Sequence, residues 1–178
     1  MNKYVSMVTA AIIAAVILQT EPLQARPLQS KEADLPSYAT SVDKTERDGN
    51  LTVEEKGRSI TIRNNREIIW ALPKNVLAQD FFLEDIDRDD NKELVVLCWR
   101  RGRFGRRRPT WVKEDDKEWS QHIFIYEISG ERVRPKWMAS DTGIAIASFD
   151  HEDGKIYITD TKGNVTKWFW ASWGLEKI

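Results

Sequence analysis

From about residue 51 onward the chain alternates polar and apolar residues in short segments, each closed by a glycine or asparagine turn. A period of two sends successive side chains to opposite faces, so this pattern specifies half-buried β-strands and leaves little room for helices. Ser59-Ile60-Thr61-Ile62-Arg63 alternates cleanly, Asn64-Asn65 forms a turn, and Ile68-Ile69-Trp70 resumes the strand. Leu94 to Trp99 is instead continuously apolar, the pattern of a strand covered on both faces. His122 to Tyr126, a Ser129-Gly130 turn and Val133 to Trp137 form a second hairpin. Ile144 to Phe149, Lys155 to Thr159, a Lys162-Gly163-Asn164 turn and Val165 to Trp170 complete the series. Only Lys74 to Phe82 is read as accommodating a helical turn. The fold class is all-β.

Three stretches share one plan, a strand, a polar turn and a strand ending at or near tryptophan: Ser59–Trp70, His122–Trp137 and Lys155–Trp168. Acidic segments, Asp85–Glu93 and Asp150–Gly154, precede two of them. The expected architecture is a set of stacked antiparallel hairpins, a partial or small propeller-like assembly, with a β-sandwich as the alternative. Propeller blades take about 40–45 residues and closed rings need at least four, whereas residues 51–178 supply roughly three. Such a stack exposes sheet edges, which a partner, a second copy or the N-terminal segment would cover. All eight tryptophans fall between Trp70 and Trp173 and recur near hairpin ends, where large aromatic rings would fill the space between sheets.

Residues 1–25 differ from the rest. Lys3 is the only charge before Glu21, and Val5 to Leu18 is uncharged and rich in Ala, Ile and Val. The run is short for a bilayer span of about 20 residues and fits a signal-peptide core of roughly 7–15. Ala25 offers a small residue for cleavage, with Arg26 as the new N-terminus. The alternatives are an uncleaved anchor through residues 5–18 or a buried amphipathic helix, and the absence of cysteine near Ala25 argues against a lipoprotein. The expected organisation is a signal peptide or anchor over 1–25, a polar tether over 26–50 ending in an Asp48-Gly49-Asn50 turn, and a β domain over 51–178. The implied location is extracellular or in the cell envelope, with membrane contact only through a retained N-terminal segment. One cysteine excludes an intrachain disulfide framework and a cysteine-rich zinc site, and Cys98 reads as a buried small side chain. A net charge of −1 gives no global field for nucleic acid.

The sharpest local signal is Asp85-Ile86-Asp87-Arg88-Asp89-Asp90-Asn91-Lys92-Glu93. Carboxylates fall at loop positions 1, 3, 5 and 9, and a curved loop turns alternate side chains to one centre. Calcium takes 6–8 oxygens, so Asp85, Asp87 and Asp89, the Asn91 backbone carbonyl and Glu93 form a candidate Ca2+ shell. Position 6 favours a left-handed residue; Asp90 tolerates it less well than glycine. The alternative is a solvated turn held by Asx-type bonds without metal. Phe82 through Val96 resembles the FG-GAP and VCBS class of repeats, whose motif is Asp-x-Asp-x-Asp-Gly-x-x-(Asp/Glu)-Leu; only the glycine is missing. More loosely, Trp99 to Gly105, Pro109-Thr110-Trp111, His122-Ile123-Phe124 and Pro135-Lys136-Trp137 look like a long-hairpin variant of such repeats in uncharacterised bacterial envelope proteins. The resemblance covers Phe81 to Ser140. It implies integrin-type propeller blades and an extracytoplasmic setting, and no activity. Phe149 to Gly154 lacks the alternate carboxylates and reads as a plain turn.

Arg100, Arg101, Arg103, Arg106, Arg107 and Arg108 place six cations in nine residues, followed by Glu114, Asp115, Asp116 and Glu118. Either two arms of one hairpin neutralise each other, or the patch meets an anionic partner such as a lipid headgroup or wall polymer; nucleic acid is not expected for an exported chain. His122 opens a strand and His151 sits in a turn, with no nucleophile–base motif beside them. Asp115 and Asp116, read as strand neighbours, would face apart. No enzymatic role is therefore expected. Trp168, Trp170 and Trp173 could stack on sugar rings, although alternation and size equally suit them to the core. The sequence thus reads as an exported, non-enzymatic FG-GAP/VCBS-like domain that binds or scaffolds a protein or envelope polymer. The rival is a carbohydrate-binding module using exposed tryptophans.

Overall fold

The computed structural model describes residues 34–104, 109–139 and 142–178. The expected signal or anchor segment, the first part of the tether and Arg106, Arg107 and Arg108 lie outside the described residues. Among the described residues twelve strands build three four-stranded antiparallel sheets, each a meander in chain order. The first sheet holds β1 (Lys44–Asp48), β2 (Leu51–Lys56), β3 (Ser59–Asn64) and β4 (Glu67–Ala71). The second holds β5 (Val76–Glu84), β6 (Glu93–Arg101), β7 (Trp119–Ser129) and β8 (Arg132–Met138). The third holds β9 (Ile146–Glu152), β10 (Lys155–Asp160), β11 (Val165–Ala171) and β12 (Gly174–Lys177). No helix is present among the described residues.

The second sheet is the middle layer, and its alternation explains how. Phe81, Leu83, Leu94, Val96, Cys98, Phe124 and Tyr126 point to the first sheet and pack on Val53, Ile60 and Ile62. Their neighbours Phe82, Val95, Leu97, Ile123 and Ile125 point the other way, onto Ile146, Phe149, Ile156 and Ile158 of the third sheet. Covering both faces is what the continuous apolar run in β6 anticipated. Tryptophans fill the remaining space: Trp70 lies against Tyr126 with ring centroids 4.7 Å apart, and Trp137 meets Trp170 edge-on at 6.5 Å.

Three expectations are corrected. Lys74 to Phe82 holds no helical turn; Pro73 to Asn75 turns the chain, with the Val76 amide donating to the Pro73 carbonyl at 2.9 Å, and β5 follows. The segment 26–50, expected to be a polar tether, contains strand β1. That strand is polar even on its inward face, where Lys44 and Glu46 bond to Asp80 and to the Leu83 amide, so apolar periodicity could not reveal it. The third repeat is also out of phase. Ser59–Trp70 and His122–Trp137 span the third and fourth strands of their sheets, whereas Lys155–Trp168 spans the second and third. Structurally equivalent positions are instead the first turns of the three sheets: Gly49-Asn50, Asp85–Lys92 and Asp153-Gly154.

Two bulges in the middle sheet re-aim polar side chains at the third sheet. The β5–β6 register shifts between Ala78 and Asp80, leaving Gln79 as the extra residue. The β7–β8 register steps from Ile125–Trp137 to Tyr126–Pro135, leaving Lys136 as the extra residue. An extra residue bends its strand and frees its side chain from the pleat. Gln79 uses that freedom to accept from Trp99 Nε1 at 2.7 Å and from Gln121 Nε2 at 2.8 Å. Gln121 also bonds both backbone groups of Ile146, at 2.8 and 2.7 Å, and so ties β9 to the middle sheet.

Candidate functional site

The acidic loop between β5 and β6 is held mainly by its own first carboxylate. Asp85 Oδ1 accepts from the Asp89 amide at 3.0 Å and Oδ2 from the Asp90 amide at 2.9 Å. Asp89 in turn accepts from the Asn91 amide at 2.9 Å, and these Asn91 bonds hold its exposed carboxyl below the usual range. Arg88 and Asp90 both take left-handed backbone, with φ of 63° and 68°. Asp90 therefore adopts the conformation for which glycine is usual at that position, one an aspartate tolerates. Ile86 anchors the loop by its burial in the core between the second and third sheets.

One oxygen each from Asp85, Asp87 and Asp89 lies within 4.8 Å of the others. Calcium–oxygen distances of about 2.3–2.6 Å allow oxygens at that mutual separation to share one ion. The three aspartates therefore form a cluster that could hold a metal ion. Glu93 does not extend it. Glu93 is buried, its Oε2 accepting from the Ile86 amide at 3.2 Å and its Oε1 from Lys136 Nζ at 2.7 Å. The Asn91 side-chain nitrogen, a donor, is turned to Asp89. Lys136 also bonds Asp87 Oδ2, so a single ammonium bridges Asp87 and Glu93. Burial pushes the Glu93 carboxyl up against the pull of Lys136. Burial works against the ammonium too, but its bonds to Asp87 and Glu93 hold it above its ordinary value.

The loop is also a joint between sheets. Glu84, the last residue of β5, accepts from the Gly154 amide at 2.8 Å and bonds His151 Nδ1 at 2.9 Å. The His151 ring stacks on Phe82 at 4.3 Å. Gly154 lies so close that a Cβ there would sit 3.3 Å from the Asp85 carbonyl oxygen. Arg88 pairs loosely with Asp153 and Lys92 with Asp48, both at 4.0 Å, so the acidic loop reaches the first turn of each neighbouring sheet. These exposed pairs contribute little stability. Beside the loop, Asp87, Ile86, Phe169 and Trp170 help line a cavity of about 390 Å³.

The basic segment is drawn into local structure where it is described. Arg101 donates to the Lys117 carbonyl and to Asp34, both at 3.0 Å, and lies 4.7 Å from the Trp119 ring centre. Arg100 donates to the Arg103 carbonyl at 3.2 Å and covers the Phe124 ring. The β6–β7 ladder ends at Arg101–Trp119, so Asp115 and Asp116 sit in a loop and not on a strand. Asp115 accepts from the amides of Arg103 at 2.8 Å and Phe104 at 3.1 Å, an anion held by successive backbone N–H groups. Of the C-terminal tryptophans, Trp168 and Trp170 pack against the core and only Trp173 stands out, 73% exposed; Trp111, in the β6–β7 connection, is 82% exposed.

Three polar features escaped the sequence reading. Ser120 Oγ lies 2.8 Å from His122 Nε2, but it is also 2.9 Å from the Gly102 carbonyl, and the ring is fully buried with Nδ1 on the Ala139 carbonyl at 2.9 Å. The hydroxyl thus holds the turn at Gly102 as well as the ring. The Gln79–Gln121 pair is legible only once the bulge is known. Glu55, on the inward face of β2, is 1% exposed and neither carboxylate oxygen has a partner. No signal in a single strand distinguishes it from a solvated glutamate. No protein-family model matches the chain, and no curated protein matches it.

Proposed function

We propose that this chain is an exported, non-catalytic module of FG-GAP/VCBS type that binds or scaffolds at a cell envelope, with Ca2+ bound in the Asp85–Asp89 part of its acidic loop. The observation that carries the proposal is the direction of the polar groups. The acidic loop, His151, the Gln79–Gln121 pair and the Ser120–His122 pair all bond inward and join strands or sheets. The large aromatics Trp111 and Trp173 are by contrast exposed, which supports a partner-binding role. The position of the loop between the first two strands of a four-stranded meander supports the family resemblance, and the apolar Val5–Leu18 run supports export. Co-sedimentation with isolated envelope polymer tests the binding role: loss of pelleting in a Trp111→Ala/Trp173→Ala variant is expected, and unchanged pelleting counts against it. Thermal melting in millimolar calcium against chelator tests the ion; an unchanged midpoint ends that part.

A carbohydrate-binding role is the second reading, and Trp173 favours it, since an exposed indole can stack on a sugar ring. A saturable tryptophan-fluorescence shift with wall or storage glycans, absent in Trp173→Ala, would select it over protein scaffolding.

A further inference from the structure

We propose that Lys136 is a tethered cation for the acidic loop: its ammonium neutralises the loop's inner half from within the chain, and a divalent ion entering the outer half must compete with it for Asp87. The inference rests on the reading of that loop as a calcium site, and it names what regulates the site.

Lys136 reaches the loop because it is the extra residue of the β8 bulge, flanked by Pro135, which has no N–H to give the ladder. Its ammonium lies 5.6 Å from the centre of the Trp170 ring. The Lys136 side chain is only 16% exposed, beside Asp87 at 19% and Glu93 at 1%. Glu93 is fully committed, one oxygen to Lys136 and the other to the Ile86 amide. Asp87 is committed on one side only. Its Oδ2 accepts from Lys136, while Oδ1 is buried without a partner. One Asp87 oxygen also belongs to the cluster with Asp85 and Asp89. Asp87 therefore stands between two cation positions, one filled by the ammonium and one bounded by the three aspartates. A divalent ion there shares its ligand with a fixed positive charge that water screens poorly, and each cation weakens the hold of the other.

The test compares the wild-type protein with Lys136→Met, which keeps most of the unbranched side chain and removes its charge, and with Lys136→Arg, which keeps the charge. Melting temperature is measured against calcium concentration from chelator to tens of millimolar. The expected result is a calcium midpoint lower by about tenfold or more in Lys136→Met, with Lys136→Arg close to wild type. Equal midpoints in wild type and Lys136→Met overturn the competition and leave the calcium site standing. No calcium response in any of the three overturns the site and the competition together. Should Lys136→Met not fold, Lys136→Met/Glu93→Gln removes both members of the buried pair and leaves Asp87 free. A lower midpoint in that variant supports the inference, and a wild-type midpoint overturns it.

Discussion

Glu55 offers the sharpest test of the packing between the first and second sheets. It sits on β2 opposite Lys44 and Ile60, buried to 1%, with both oxygens unpartnered. Lys44 has turned its ammonium to Asp80 at 2.8 Å. Burial raises the Glu55 carboxyl from 4.5 to about 7; Asp80 and Asp43 add to the rise, and Lys44 and Arg58 oppose it. The sign follows from linkage. Below about pH 4.5 the carboxyl is protonated in folded and unfolded chains alike, and it imposes no ionisation cost. Between about 4.5 and 7 folding takes up a proton, so stability falls as pH rises. Above about 7 the folded protein carries the full cost, about 3 kcal/mol, from roughly 2.5 pK units at 1.36 kcal/mol each. Glu55→Gln keeps the shape and cannot ionise. Urea unfolding followed by tryptophan fluorescence should therefore show the variant gaining about 2–3 kcal/mol relative to wild type between pH 5 and pH 8. Other titrating groups are common to both proteins and cancel in this difference. A variant whose effect on stability is the same at both pH values would show that Glu55 ionises in the fold without cost, and would refute the reasoning.

Gly174→Ala should destabilise by about 1–3 kcal/mol in the same assay, because its Cβ would lie 2.9 Å from Trp137 Nε1 where β12 crosses the ring. Glu84→Ala strands the Gly154 amide and His151 at the joint between sheets; a loss of about 1–3 kcal/mol and faster hydrogen exchange at Gly154 are expected. Gly102→Ala combines a φ of 84° with a Cβ 2.5 Å from Asp115 Oδ2, so it should lower the melting temperature more than Gly130→Ala, where φ is 61° and the space is open. Trp111→Phe/Trp173→Phe should remove most of the fluorescence that acrylamide quenches readily, since those are the two largely exposed indoles among the described residues.

What the sequence reveals follows from which physical signals are local. Apolar patterning is local, so eight of the twelve strands, β3, β4 and β6 to β11, announce themselves at least in part. The carboxylate spacing of Asp85, Asp87 and Asp89 is local as well, and the three do converge. Strand β1 is invisible because its inward residues are charged and find their partners on β5, more than thirty positions away. Glu93 has the right spacing for the shell, yet it is drawn off by Lys136, which arrives from the far side of the sheet through a bulge. A bulge is a mismatch between two strands, so neither strand alone encodes it in its pattern of polar and apolar residues.

Among the described residues the outward faces of the first and third sheets are polar and charged. On the outward side of the first sheet the register brings Arg47 opposite Thr52, Thr52 opposite Arg63 and Glu54 opposite Thr61. On the outward side of the third, Tyr157 stands between Asp150 and Lys167, with the Lys167 ammonium 5.4 Å from its ring centre. A fourth sheet laid on either surface would bury charges without partners, at a cost of several kcal/mol each after relaxation. The edges are blunted as well: β1 reads Lys-Thr-Glu-Arg-Asp, β8 carries Pro135 beside its bulge, and β12 is four residues long. Charge, proline, bulge and brevity each discourage a further strand from pairing. The same device that closes the edge at β8, the bulge beside Pro135, is the one that delivers Lys136 to Asp87. Protection of the sheet edge and occupation of the acidic loop are thus two consequences of one extra residue.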